Sequence, residues 1–518
     1  MPTQRAHGGA ALIPINLTAP AFAGLNTERE ATLLGQEWAT VLKNVIFDSS
    51  GRVSVRTGWT SSTTSAVAGV VLRIHEYVKA DGTSEIISST DADIFSGTTS
   101  PSSVEGTLGI SEGHIKFVNF NDKCIAIGVG TSGNPAVYTG TGNFTTITVN
   151  SGTAPTGTVG TAAFGRLWCV DTDGKTIRYS ALLDETRWAV VDGGGTIDMS
   201  KVWPSGQDAI TAIAELAGDL VVFGKENIVI WTDGSGSALG IDPTTIYVSD
   251  TFPGMGCISQ FAVTRAVGDL WFVSSSGLQS MRRALQDRTT PTNNVTQNVQ
   301  SSFLQYVDAE SDPNDMTLVY SPREDFVLAV FPTSNKIMYF NTKRVMQDRT
   351  YRTAEWTGDL QTATYRASTR GLLGSLTGTV GEIMTYSGFD DDGTTYDFSY
   401  ESGWLDFGEE LNGYIKIIKK MSSFVFIQSA TSLNFTIKYD FNTNPRTTSI
   451  TVEGGGGAEY SLGEWSLGEY SGGTSIRTLS IPGQGSGQFV KVGVNLNTTN
   501  SRFALQQINL YAKVGRIA

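Results

Sequence analysis

The sequence predicts a nearly all-β protein, a propeller-like ring of small sheets followed by a β-sandwich, and three observations carry that reading. Fifty-eight glycines are mixed with abundant Ser, Thr and β-branched residues, the composition that many short strands joined by tight turns require. A two-strand unit recurs along most of the chain with a period of roughly fifty residues, the size of one propeller blade. From about residue 401 that rhythm gives way to longer period-two runs, the pattern of a two-sheet sandwich.

The repeated unit is an apolar strand, a short polar turn and a second apolar strand ending in an aromatic residue or Ile. Copies begin at 69, 121, 165, 218, 268, 323 and 371, the best matched being GRLWCVDTDGKTIRYSAL, GDLVVFGKENIVIWTD and GDLWFVSSSGLQSMRR. Such a hairpin cannot bury both faces alone, so repetition implies neighbours stacked or arranged radially. The reading is a propeller of six or seven blades over 61–400, with looser strands at 144–149 and 244–250 as outer strands.

Two stretches break the β pattern. In EREATLLGQEWATVL, Ala31, Leu34, Trp38 and Val41 fall at helical spacing, which predicts a short helix inside an N-terminal arm and hairpin spanning 1–60. Val295, Val299, Phe303 and Val307 do the same, predicting a helical insertion between two blades near 291–311. In the sandwich, 401–518, the loop EYSLGEWSLGEYSGGT carries Trp465 and Tyr470. They are candidates for contact with other molecules, or rings tucked back on the sandwich.

The net charge of −13 is unevenly placed: 10 basic and 9 acidic residues lie from 401 onward, against 27 and 41 before it. An acidic body argues against electrostatic capture of nucleic acid, which needs Lys and Arg. It leaves open a surface past which nucleic acid slides without sticking. Cys124, Cys169 and Cys257 are odd in number, far apart and set in apolar runs, so they are expected to be buried small hydrophobes in a chain folded in a reducing cytoplasm. Pro14, Asn16 and Pro20 interrupt the apolar N-terminal stretch ahead of Ala21-Phe22-Ala23, so a signal peptide is not expected. No apolar run approaches the roughly 18 residues of a membrane span.

Catalytic signatures are lacking. His7, His75 and His114 have no metal-ligand spacing, and no GxSxG surrounds any Ser. Gly128, Gly130 and Gly133 satisfy GxGxxG, but a second strand follows where a phosphate site needs a helix. Asp171–Gly174 and Asp390–Gly393 look like calcium loops without the downstream Glu. No catalytic residue, cofactor or metal is assigned, and the chain is expected not to be an enzyme.

One stretch, AFAGLNTEREATLLGQEWATVLKNVIFDSSGRVSVRTGW (21–59), resembles the opening of the tail hub and nozzle proteins of short-tailed bacteriophages, through Gly24, Leu25, Asn26, Asn44, Gly51, Arg56 and Gly58. The later order of propeller, helical insertion and sandwich is similar too. The resemblance implies a homohexameric ring in the virion tail, assembled in the host cytoplasm below the portal and head-to-tail adaptor. Its lumen would conduct and retain viral DNA without sequence-specific binding, and spike, fibre or plug proteins would attach around it. Asn44, Arg56 and Gly58 are then the assembly candidates, with Trp465 and Tyr470 for contacts. Two alternatives stand beside it: a propeller that binds or cleaves glycans, marked by an axial pocket of converging acids, aromatics and Arg, and a monomeric scaffold.

Overall fold

Each repeat motif forms a hairpin in an antiparallel sheet, because its strands are apolar on both faces and each face meets a different neighbour. In the computed structural model, which describes residues 12–48, 51–204, 206–234, 241–287, 294–377, 381–408, 411–453, 475–498 and 501–517, the strand Lys123–Ile127 shows this directly. Cys124 and Ala126 pack with Tyr77, Ile87 and Phe117 on one side, while Ile125 and Ile127 pack with Leu167, Cys169 and Trp188 on the other. The next blade repeats the device, sending Trp168 and Val170 against Leu220 and Val222. Period-two alternation thus sorts side chains between two inter-blade cores.

Six blades are separate sheets. The first four open on Arg73–Val78, Lys116–Phe120, Gly160–Ala163 and Ile210–Leu216, and each has four strands. The fifth has three, Val263–Ala266, Asp269–Ser274 and Gly277–Ser280. Another comprises Leu360–Arg366, Gly371–Leu376 and Met384–Tyr386, and takes its outer strand, Trp59–Ser61, from the N-terminal region. Between the fifth blade and this last one lies a wedge of four strands, Thr317–Ser321, Phe326–Phe331, Lys336–Val345 and Tyr351–Thr357, which continues as part of a ten-stranded sheet. The opening strands lie side by side around the ring, from Val263–Ala266 through Thr317–Ser321 and Leu360–Arg366 back to Arg73–Val78 and on to Ile210–Leu216. Phe223 against Phe272, at 5.0 Å, joins the fourth blade to the fifth. The chain closes its own ring.

The sandwich pairs two sheets. One contains Tyr414–Ile427, Phe503–Ile517 and Ser475–Pro482, together with the N-terminal strands Ile13–Thr18, Val45–Phe47 and Val53–Val55. The other is the far end of the ten-stranded sheet, including Asp397–Ser402, Val490–Asn497 and Thr431–Tyr439. Phe398 and Phe503 meet edge to face between them at 5.1 Å. The strands between Ile13 and Ser61 are therefore shared out between sandwich and ring, and the strand Asp397–Ser402 runs across the expected boundary at 400.

The helix expected near 28–42 is corrected: this stretch is turns followed by the strand Trp38–Lys43. The strand runs parallel to Gly24–Leu25 and antiparallel to Asp397–Ser402. A β-bulge between Ala39 and Val41 shifts the alternation, so Ala39 and Leu42 both point inward. The same bulge puts Trp38 and Val41, the pair at helical spacing, on the opposite half-buried face, where three-residue spacing imitates one face of a helix. Upstream, the Asn26 side chain accepts from the backbone N–H groups of Glu28 and Arg29, a local turn that competes with helix. The second insertion is helical over Gln300–Ala309, where Phe303 is buried edge-on against Phe331. Val295 and Val299 are buried in the turns ahead of it.

All three cysteines are free and buried. Burial raises each thiol, Cys257 to about 12. None is expected to react with Ellman's reagent in the native protein at pH 8, and all three should react in urea; prompt native labelling would show that the inter-blade cores open.

Candidate functional site

Asn44 turns the chain between two strands with φ at 54°, a left-handed geometry that Asn tolerates better than most residues. Its side-chain amide donates to Thr357 Oγ1 and to the Asp397 carbonyl, both at 2.7 Å. Its Oδ1 accepts from the Thr357 backbone N–H at 2.9 Å and from Arg56 Nε at 3.0 Å. Arg56 is fully buried. Its Nη1 donates to the Thr57 carbonyl at 3.1 Å and to Asp391 Oδ1 at 2.9 Å. Its Nη2 donates to the Thr357 carbonyl at 3.0 Å and to Asp391 Oδ2 at 2.5 Å. All five guanidinium N–H groups are thereby used.

The guanidinium carbon lies 3.7 Å from the Tyr396 ring centroid, and the Tyr396 hydroxyl donates to the Arg56 carbonyl. Burial alone would lower the affinity of Arg56 for its proton, but the hydrogen bond and charge of Asp391 prevail and hold it above its ordinary value. Two residues on, Gly58 passes so close to the loop after the last blade that a Cβ would stand 1.8 Å from the Asp390 carbonyl oxygen. That carbonyl accepts from the Trp59 N–H at 3.0 Å.

Asn44, Arg56 and Gly58 are therefore brought together in one buried bracket. It ties the ring wedge through Thr357, the last blade through Asp390 and Asp391, and the sandwich through Asp397. The Asn44 and Arg56 side chains are buried and bond to other parts of this chain. Trp465 and Tyr470 lie outside the described residues. Beside the bracket is a cleft of about 470 Å³ lined by Asp359, Asp391, Asp392 and Asp397 among others, and Asp391 is already committed to Arg56.

A second assembly occupies the propeller axis, where opening strands of several blades converge on a cavity of about 180 Å³. Arg73, 5% exposed, donates through Nη1 to Thr317 Oγ1 at 2.8 Å and Thr362 Oγ1 at 3.3 Å. Its guanidinium lies 3.8 Å from the Phe261 ring centroid. Its Nε and Nη2 are buried without a hydrogen-bond partner among the described residues, as is Gln260 Oε1. Half-buried Lys116 places its ammonium 5.8 Å from the same Phe261 ring. Burial pulls Arg73 down to about 9, against the opposing charges of Asp315 and Asp312. Burial and the Arg73 charge pull Lys116 down to about 8. His75, stacked on Phe117 and bonded to Asn119 at 3.0 Å, is lowered by burial to about 4. The acids stand apart from this lining, with Asp315 bonded to His114 Nε2 at 2.8 Å. The hydrogen bond from His114 holds the Asp315 carboxyl below its usual range, outweighing burial.

The remaining motifs resolve as turns. Gly130 bonds to the Asn134 carbonyl ahead of the strand Ala136–Tyr138, and Asp173 caps the N–H groups of Lys175 and Thr176. Among the described residues no group of three or more His, Cys, Asp or Glu is placed to hold a metal ion.

No family matches the sequence, and no curated protein does. Among solved structures, the AfRom2 CNH domain is similar at 14% identity, covering 63% of this chain and 98% of its own, with a TM-score of 0.35. PorZ, a surface component of the type-IX secretion system of Porphyromonas gingivalis, is similar at 12% identity over 76% of this chain and 46% of its own, with a TM-score of 0.35. Kluyveromyces lactis Hsv2 is similar at 10% identity over 56% and 98%, with a TM-score of 0.33.

Proposed function

We propose that this chain is a non-catalytic binding scaffold, a self-closed propeller fixed to a sandwich so that loops of both are held in set positions for partners. The Asn44–Arg56–Asp391 bracket carries the reading. A buried, fully bonded guanidinium joining wedge, last blade and sandwich resists relative movement of the parts. Ring closure by Trp59–Ser61 supports a propeller complete in one copy.

A second reading, the hub or nozzle of a short-tailed phage tail, is favoured by one observation. Asn44, Arg56 and Gly58, three landmarks of that resemblance, meet in the same bracket. In this reading the DNA lumen lies between copies of a six-fold ring. The axial cavity of one propeller, about 180 Å³, is below the roughly 300–1,000 Å³ of ordinary ligand pockets and has no room for a duplex.

Negative-stain imaging of the purified chain, alone and mixed with a phage portal–adaptor complex, separates the two. The scaffold reading expects single particles in both samples. A six-fold ring with a central channel in either would overturn it in favour of the hub. Cleavage of any member of a polysaccharide panel would overturn both.

A further inference from the structure

We infer that the axial cavity is a binding site for one small oxyanion group, a phosphate, sulfate or carboxylate, held between Arg73 and Lys116. Two cations face one shared space, and neither forms an ion pair among the described residues. Arg73 is anchored by Thr317 and Thr362 through Nη1 alone, leaving Nε and Nη2 buried and unpartnered. A buried guanidinium N–H without an acceptor is costly, and a bidentate oxyanion satisfies two such donors at once. Phe261 lies against both cations, its ring centroid 3.8 Å from the Arg73 guanidinium carbon and 5.8 Å from the Lys116 ammonium. The volume of about 180 Å³ suits a single oxyanion with little else.

The groups facing the site set its pH dependence. Arg73, His75 and Lys116 line the cavity, the charges of Asp315 and Asp312 act on Arg73, and Glu76 adjoins His75. His75, lowered to about 4, is neutral at pH 7. With Lys116 lowered to about 8, anion binding should fade as pH rises through that value. Without an anion the sign reverses. The unfolded chain holds the Lys116 proton up to its ordinary 10.5, so this group's contribution makes stability rise with pH from about 8.

The test is thermal unfolding of the full chain at pH 7 and constant ionic strength, with chloride replaced stepwise by inorganic phosphate, sulfate or glucuronate. Wild type should show a Tm that climbs with the logarithm of anion concentration. Lys116→Met removes a charge that makes no hydrogen bond among the described residues, so it should fold. It should start at a higher Tm in chloride and gain little on adding anion. Calorimetric titration of phosphate should show one site on wild type and a loss of affinity of at least tenfold in the variant. A rise with glucuronate alone would identify the carboxylate of a sugar acid as the ligand, and a rise with phosphate or sulfate a free oxyanion. Equal shifts in both proteins, or none with any anion, would overturn the assignment.

Discussion

Asp391→Ala should lower the stability of this chain by about 3–5 kcal/mol, because it strands a buried cation. Arg56 has no exposure to water, and Asp391 is its only ion-pair partner among the described residues. The remaining bonds to Asn44, Thr57 and Thr357 engage neutral oxygens. Arg56→Met removes the charge but leaves Asn44 Oδ1 and the Thr357 carbonyl short of a donor. The double variant should therefore lose less than the two single losses added together, with a coupling of about 1–3 kcal/mol. Urea unfolding followed by tryptophan fluorescence measures all three proteins. Strict additivity would mean that the pair does not act as a unit.

Gly58→Ala should cost about 3 kcal/mol, at the upper end for overpacking. The added carbon would stand 1.8 Å from a backbone oxygen and 2.6 Å from the carbon of the same carbonyl, so no side-chain rotation relieves it. The 390–392 loop has to move, weakening the Trp59 N–H bond to Asp390 and dragging Asp391 from Arg56. Because both substitutions disturb one loop, Gly58→Ala combined with Asp391→Ala should again be less than additive. A loss below about 0.5 kcal/mol would show that the loop yields freely.

The seven repeat motifs were legible because alternation with two apolar faces has few other uses than a sheet packed on both sides. The number of blades was not, since the wedge beginning at Thr317 shares hydrogen bonds with the sandwich and has no boundary in the sequence. The helical spacing near 28–42 has a physical source: the bulge at Thr40 puts Trp38 and Val41 on one half-buried strand face, opposite Ala39 and Leu42. Asn44, Arg56 and Gly58 stood out as landmarks, yet their partner Asp391 lies 335 residues beyond Arg56 in what reads as an ordinary Asp-Gly turn. Arg73 and Lys116 are single charges in apolar runs on different blades, and only ring closure turns them toward one space.

The bracket's central role is tested most directly by hydrogen exchange of wild type and Asp391→Ala followed by mass spectrometry. The account predicts faster exchange in three places at once: Leu360–Arg366 and its neighbours in the last blade, Tyr351–Thr357 in the wedge, and Asp397–Ser402 in the sandwich. Faster exchange confined to residues 387–396, with blade, wedge and sandwich as protected as in wild type, would contradict it.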